Sequence, residues 1–330
     1  TGYLVKFTIP FKSLRFPAND IQNWGLSVAR YIPELSEFDV WPHITRQKSS
    51  NIVSQFGKVV IPDRLAAQNP IQFNPYLAVS KSKLLQDPLR KAARKDFFRE
   101  SNKAQVGFDS KYVLNNAFTF DLTVKPDFSE VESDEPQVLV DKRFEVLFPE
   151  KRPLFIENKG FFETPLPLFF SRRVVEPEGG LRITGREGEF ALGALLINDI
   201  ADGKQHRANI SMLRTQIDSS KGSNLGMLIV SKEQDATRNL VAGLDFRYAW
   251  DANWTLNGQV AGSQTKAQSK QDGKLIYVDA GYANLSTKYL GKFSMIDRDF
   301  DASLGFIPRL GIRQSDQTAR RKYRQRSLPA

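Results

Sequence analysis

The stretch NLVAGLDFRYAW, residues 239–250, puts Leu240, Ala242, Leu244, Phe246, Tyr248 and Trp250 on one side of an extended chain. Asn239, Val241, Gly243, Asp245, Arg247 and Ala249 fall on the other. Successive side chains of a strand point to opposite faces, so this order calls for a sheet with one apolar face and one small or polar face. The same order governs AFTFDLTV (117–124), where Phe118, Phe120, Leu122 and Val124 alternate with Thr119, Asp121 and Thr123. It also governs NWTLNGQVAGSQT (253–265), where Trp254, Leu256 and Val260 oppose Thr255, Asn257, Gln259, Ala261 and Ser263. Further strand candidates lie at 189–197, 207–217, 224–232, 274–287 and 291–300. Strands of about 10 residues are long for a soluble sheet, where about 5–6 is usual, and match a membrane-crossing strand. The links are uneven: DAN (251–253) is tight, whereas NDIADGKQH (198–206) and KAQSKQDG (266–273) are long and polar. Trp250 and Trp254 flank the tight link, where an interfacial aromatic belt would sit. A transmembrane barrel fits this pattern, and a soluble β-sandwich remains the alternative.

Several function classes fall away. The chain has no cysteine, so disulfides and thiolate metal sites are excluded, and His43 and His206 are its only imidazoles. A transition-metal centre or a Ser-His-Asp apparatus is not expected, and no cofactor is. The formal charge of +10 invites a nucleic-acid reading. Its distribution argues against one. Residues 81–103 hold eight Lys/Arg against three acids, and ARRKYRQRSLPA (319–330) holds five and no acid, which together make the whole excess. Neither interleaves basic and aromatic residues as a single-strand groove does. No apolar run reaches eighteen residues, so no membrane helix is expected. The chain begins at Thr1 without a secretory leader, and a fragment of a longer protein is expected.

The expected organisation has three parts. Residues 1–62 contain the strand-like GYLVKFTIPF and NWGLSVARYI. Residues 63–104 read as a linker, because 62–76 carry three prolines and 81–103 suit a solvated basic segment better than a short helix interrupted by Pro88. Residues 105–330 read as barrel, except that 319–330 do not look like a strand.

Residues 107–190 carry the strongest local signals. They include Gly107, Asp109, Lys111 and Tyr112, then Pro126, Asp127, Phe128, Val131, Glu132 and Asp134, then Phe148, Glu150, Lys151, Arg152, Pro153, Phe155 and Glu157. Ser171, Arg172 and Arg173 follow, and then Ile183, Thr184, Gly185 and Arg186. In order and spacing this resembles the bacterial family called domain of unknown function 5916. Lys125 and Leu154 depart from the family's usual residues. The element DASLGFIPRLGIR (301–313) is similar to a later strand-to-strand part of that family. The resemblance implies an outer-membrane β-barrel preceded by a domain like a family-9 carbohydrate-binding module, whose last strands the opening VKFTIPFKSLRFP resembles. The implied fold is all-β: the end of a β-sandwich, then part of an antiparallel up-and-down barrel. The implied partners are the lipid bilayer and a candidate carbohydrate ligand, with the N-terminal module in the periplasm.

Three groups of residues are candidates for chemistry. Asp127, Glu130, Glu132, Asp134 and Glu135 could act as a glycosidase pair or hold Ca²⁺, with Asp127, Glu132 and Asp134 the cation candidates. The spacing lacks the turn glycine of a calcium loop, and a polar wall of the lumen or its periplasmic mouth is the plainer reading. Asp134 and Glu150 are the candidate catalytic carboxylates. The charges of Glu150, Lys151, Arg152, Glu157, Arg172 and Arg173 suit a network that pins a re-entrant segment inside a lumen, with Arg172 and Arg173 also candidates for ligand recognition. Trp24 and Trp41 could stack on sugar rings, although core or interface roles are commoner. The expected function is binding or passage of an extracellular compound at the outer membrane, carbohydrate being the candidate. A surface glycoside hydrolase and a structural envelope protein are the alternatives.

Overall fold

In a computed structural model the chain is all-β apart from a few short helical turns. The structure describes residues 4–9, 11, 20–44, 55–62, 71–85, 98–114, 117–126, 149–200, 206–219, 222–251, 253–284 and 286–322. Near the N-terminus, β1 (Gln22–Leu26) pairs with β4 (Gly57–Ile61), and β2 (Val28–Ile32) pairs with β3 (Glu37–Trp41), as two small antiparallel sheets.

A single antiparallel sheet of twelve strands follows, each strand beside its sequence neighbour. It comprises β5 (Ile71–Leu85), β6 (Phe98–Leu114), β7 (Phe118–Val124), β8 (Pro177–Glu187), β9 (Phe190–Ile200) and β10 (Arg207–Asp218). It continues through β11 (Asn224–Gln234), β12 (Thr237–Ala249), β13 (Trp254–Lys266), β14 (Lys270–Ala283), β15 (Thr287–Ile296) and β16 (Ile312–Arg321). The edge strands β5 and β16 do not pair with each other, so the sheet is not closed.

Three expectations about boundaries are corrected. The sheet begins at Ile71, not near residue 105, so much of the expected linker 63–104 is strand. Proline misled there: Pro75 sits in β5, the edge strand, which is where a sheet tolerates proline. Neither a solvated segment nor a helix describes 81–85 and 98–102, which pair with each other across the β5–β6 ladder. At the other end β16 runs through Arg321, so residues 319–321 are strand despite their charge. The expected strand 274–287 also shifts to 270–283. Its turn lies at 284–286, where the Asn284 carboxamide oxygen accepts the backbone N–H of Ser286 and Thr287.

The register turns the alternation into two continuous faces. One row on the open face runs Phe190, Ile217, Leu225, Phe246, Gly258, Val278, Phe293 across β9 to β15. Most side chains of this face, including Leu196, Leu225, Leu244 and Val260, are exposed. The opposite face is covered. Leu195, Ile197, Ile210, Met212, Leu228, Val230 and Val241 are buried there with Phe155, Phe162, Leu168, Phe300 and Leu304. Those last five residues belong to two connections, 149–176 and 297–311, that fold back over the strands. The inserted 149–176 segment contains a single helical turn, α1 (Pro153–Ile156), and the tight turns Lys159–Phe162 and Ser171–Arg173.

Gly193 on β9 makes room for this covering. A Cβ there would lie 2.7 Å from the Phe162 ring, which is far inside van der Waals contact. Gly193→Val should therefore lift the inserted segment at a cost of about 1–3 kcal/mol. The expected readout is faster proteolysis within 149–176 and a lower unfolding temperature; unchanged proteolysis would count against the close packing.

Candidate functional site

The site is the face where the inserted segment meets the sheet. Register places Asp121 on β7 opposite Arg182 on β8, with Lys111 of β6 on the other side of Asp121. Arg182 is 2% exposed. Its Nε and Nη2 donate to Asp121 Oδ2 at 3.0 and 2.7 Å. Its Nη1 donates to the carbonyl of Leu154 and, at 2.6 Å, to that of Glu157, while Nη2 also reaches Glu157 Oε2 at 3.3 Å. A guanidinium has five N–H groups, and all five are engaged. Lys111 Nζ completes the cluster at 2.7 Å from Glu157 Oε2 and 3.6 Å from Asp121 Oδ1. Arg182 thus links the wall to the backbone of the inserted segment.

A second cluster lies within the segment itself. Arg152 grips Glu150 with two parallel bonds, Nε to Oε1 at 2.9 Å and Nη2 to Oε2 at 2.7 Å. The remaining donors of Arg152 reach the carbonyls of Val174 (2.7 Å) and Ser171 (2.8 Å), and its guanidinium carbon stands 4.4 Å from the centre of the Phe155 ring. Glu150 also accepts from Ser171 Oγ at 2.6 Å and from the backbone N–H of Lys151 and Arg152. Burial raises the Glu150 pKa, but the bonds from Arg152 and Ser171 outweigh it and bring the carboxyl down to about 2. A carboxyl held ionised in this way is poorly matched to the proton-donating role of a glycosidase acid, whose pKa is raised.

Other polar groups of the sheet hold backbone in the same manner. Asp199 on β9 accepts the N–H of Val175 and Glu176 at 3.0 and 2.7 Å. Gln259 on β13 exchanges two bonds with Leu166, accepting its N–H at 2.6 Å and donating to its carbonyl at 3.1 Å. Asn239 on β12 donates to the carbonyl of Asp301 and accepts from Ser303, which fixes the second connection. Arg172 bonds the carbonyl of Pro149, and Arg173 that of Gly305. Lys151 is half-buried beside Glu150, and Pro153 starts the helical turn.

A cavity of about 320 Å³ lies between segment and wall. Phe155, Phe162, Phe169 and Phe170 line it, with Glu150 and Arg182. Asp127, Phe128, Glu130, Glu132, Asp134, Glu135 and Phe148 lie outside the described residues. Among the described residues no cluster of three or more metal-ligating side chains occurs, and no helix is long and apolar enough to cross a membrane. Trp24 is half-buried on β1, edge-on to Phe11, and its indole N–H faces Gln22 Oε1. Trp41 is exposed on β3, and His43 is exposed beyond it. The two tryptophans belong to separate two-stranded sheets.

Sequence reasoning did not single out Arg182, Asp199, Gln259 or Asn239. A weak signal existed: each is a polar residue on the face opposite the apolar row. Their partners are backbone groups far along the chain, which alternation does not reveal.

The residues of the signature, wall strands and inserted segment alike, occupy one stretch of chain. Residues 71–187 match the family described as domain of unknown function DUF5916. The DUF5916 match thus runs from β5 through β8 and takes in both charge clusters. No curated protein matches the sequence. Among solved structures, in-vitro folded OmpT, an outer membrane protein of Vibrio cholerae in trimer form, is 11% identical, with 76% of this chain and 96% of that chain covered and a TM-score of 0.33. OmpTdeltaL8, a loop L8 deletion mutant of OmpT, is 10% identical, with 69% and 93% covered and a TM-score of 0.32.

Two outcomes are expected. Arg182→Met leaves Asp121 buried beside a lost partner and should cost about 3–5 kcal/mol, whereas the double change Asp121→Leu with Arg182→Met should recover much of that; denaturant titration of the four proteins checks it. The folded-state pKa of Glu150 is below its ordinary 4.5, so its contribution is complete above that pH and is lost as pH falls toward about 2. The unfolding temperature of Glu150→Gln should lie below that of the native protein at pH 7, and the gap should close across that window.

Proposed function

We propose that this chain forms the wall of an outer-membrane β-barrel with a lumenal insert, and that it binds an extracellular compound or governs its passage. The observation that carries this reading is the exposed apolar face of the long sheet, row upon row, opposite a face that inserted chain covers across its middle strands. An apolar surface of that extent has no place against water. Lipid is the partner that fits it, because strands β8 to β14 have 11–14 residues, enough to cross a bilayer.

The same geometry supports a sidedness. The connections 188–189, 219–223, 250–253 and 284–286 are short and share one end of the sheet. Tyr248, Trp250, Trp254, Tyr282 and Tyr289 gather at that end, with Trp254 and Tyr282 ring centres 4.8 Å apart. The long connections 86–97, 125–176, 201–206 and 297–311 leave the other end, together with the tight turns 235–236 and 267–269. Barrels keep short turns in the periplasm and long loops outside, and interfacial aromatics mark the boundary. Strand β5 starts at the end of the sheet where these aromatics gather, which supports a periplasmic place for the residues before it. There the small sheets of residues 22–61 would belong to a carbohydrate-binding-module-like domain, and the exposed Trp41 would offer a stacking surface. On this reading the two inserts enter the lumen from outside, and a solute passes only when they yield. Carbohydrate is the ligand class we favour, on the strength of the N-terminal resemblance.

Reconstitution into lipid vesicles tests the reading. The native protein should insert and acquire heat-resistant mobility in detergent gels. Leu244→Arg, on the open face, should weaken insertion by about 2–4 kcal/mol. Flux of small sugars should be low and should rise in Arg152→Ala, which loosens the insert. A protein that stays soluble without detergent and is indifferent to Leu244→Arg would overturn the membrane assignment, and absence of flux in every variant would overturn passage.

A further inference from the structure

The cavity of about 320 Å³ between the inserted segment and strands β8 and β9 has a chemistry of its own. The polar side chains that border it are Glu150, Lys159, Glu163, Thr164, Ser171 and Arg182. Each is already paired. The Glu150 carboxylate takes the two-bond grip of Arg152, the Ser171 hydroxyl and two backbone N–H groups. The donors of Arg182 are spent on Asp121, Leu154 and Glu157. Thr164 Oγ1 donates to the carbonyl of Leu166 at 2.7 Å and accepts the N–H of Leu168 at 3.3 Å. Lys159 and Glu163 pair with each other at 3.5 Å, both exposed at the rim. Among the described residues the buried side-chain atoms without a partner are Arg214 Nε on β10, Ser231 Oγ and Asn253 Oδ1, and none of these borders the cavity.

What remains to meet a ligand is hydrocarbon. Half-buried Leu154, Phe169 and Phe170 present the accessible wall, and buried Phe155, Phe162 and Leu195 form the floor. The rings are held from behind. The guanidinium carbon of Arg152 stands 4.4 Å from the centre of the Phe155 ring, and the Phe306 ring lies 5.4 Å from that of Phe170. Neither Arg152 nor Phe306 borders the cavity. Phe162 and Phe169 stand 6.5 Å apart at 57°. A wall fixed in advance loses little freedom when a ligand arrives.

Size and lining together define the occupant. Ligand pockets start at about 300 Å³, and an apolar cavity of about 150 Å³ can take benzene, so this one suits a compact molecule of roughly one or two fused rings. A hydroxyl-rich or charged ligand would leave water for a surface whose polar side chains are already engaged. An aromatic ring gains edge-to-face contacts with the phenylalanines beyond the burial of its area. We infer that the cavity bounded by Leu154, Phe155, Phe162, Phe169 and Phe170 is a binding site for an uncharged aromatic molecule. The site goes beyond the carbohydrate reading. It stands on the contacts between segment and wall alone and does not depend on the membrane assignment.

Equilibrium dialysis of labelled indole against the detergent-folded full chain tests it. Indole also enters detergent micelles, but that uptake does not saturate and is common to native protein and variants. The native chain should show saturable uptake. Leu154→Trp, whose larger side chain fills the cavity, should abolish it. Phe169→Ala removes one ring from the wall, and affinity should fall about tenfold. Glucose and indoleacetate, the hydroxyl-rich and charged probes, should displace labelled indole poorly, and hexanol, the alkyl probe, less well than unlabelled indole. Native-like resistance of residues 149–176 to proteolysis shows that a variant keeps its segment seated. If Leu154→Trp fails that check, Phe169→Ala and the displacement series on the native protein decide. Absence of saturable uptake overturns the site. So does uptake unchanged in a well-seated Leu154→Trp, or displacement by glucose, indoleacetate or hexanol as readily as by unlabelled indole. Failure of vesicle insertion would overturn the membrane reading and leave this result standing.

Discussion

The five-donor engagement of Arg182 is the interaction on which the rest depends. Its guanidinium is buried against Asp121 on the neighbouring strand and spends its remaining donors on the carbonyls of Leu154 and Glu157 and on the Glu157 carboxylate. A buried ion pair is a weak source of net stability, because both charges must leave water. Its value here is positional. This placement of the inserted turn satisfies every donor, which gives the segment a seat on β7 and β8. The aromatic packing of Phe155 and Phe162 then adds non-directional burial that the polar contacts orient.

The wall and the insert solve each other's problem. A sheet with an apolar open face cannot also bury its polar face against lipid, and a proline-rich connection cannot supply its own backbone hydrogen bonds. Asp199, Gln259, Asn239 and Arg182 meet that need strand by strand, each bonding main-chain groups of a covering segment. Polar residues on this face are therefore ligands for backbone rather than a lining for water. Arg214 departs from the pattern because its partners are side chains and its Nε–H is left over.

Much of the fold was legible because period two survives any tertiary context. Leu240 to Tyr248 and Phe118 to Val124 announce which side is apolar, and the sheet obeys them. Residues 71–85 and 98–104 were not legible, since proline and clustered lysines hide the pairing, and in the edge strand β5 polar and apolar side chains alike, such as Gln72, Phe73, Asn74 and Leu77, are exposed. The turn at 284–286 was misplaced because Asn284 acts there through a side-chain bond, which composition does not reveal. In the candidate site, the charges around Glu150 and Arg152 were visible as a cluster. The seat they occupy was not, because Arg182, Asp199 and Gln259 find partners that lie 25, 24 and 93 residues away.

The central claim is that one face of the sheet meets lipid and the other meets inserted chain. The protein has no native cysteine, so single cysteines placed in turn at residues 239 to 248 can each carry a spin label. Their collision rates with oxygen, which concentrates in the bilayer core, should alternate after reconstitution: high at Leu240, Ala242, Leu244 and Phe246, low at Asn239, Val241, Gly243 and Asp245. Equal rates on the two sets, or high rates on the second, would contradict the account.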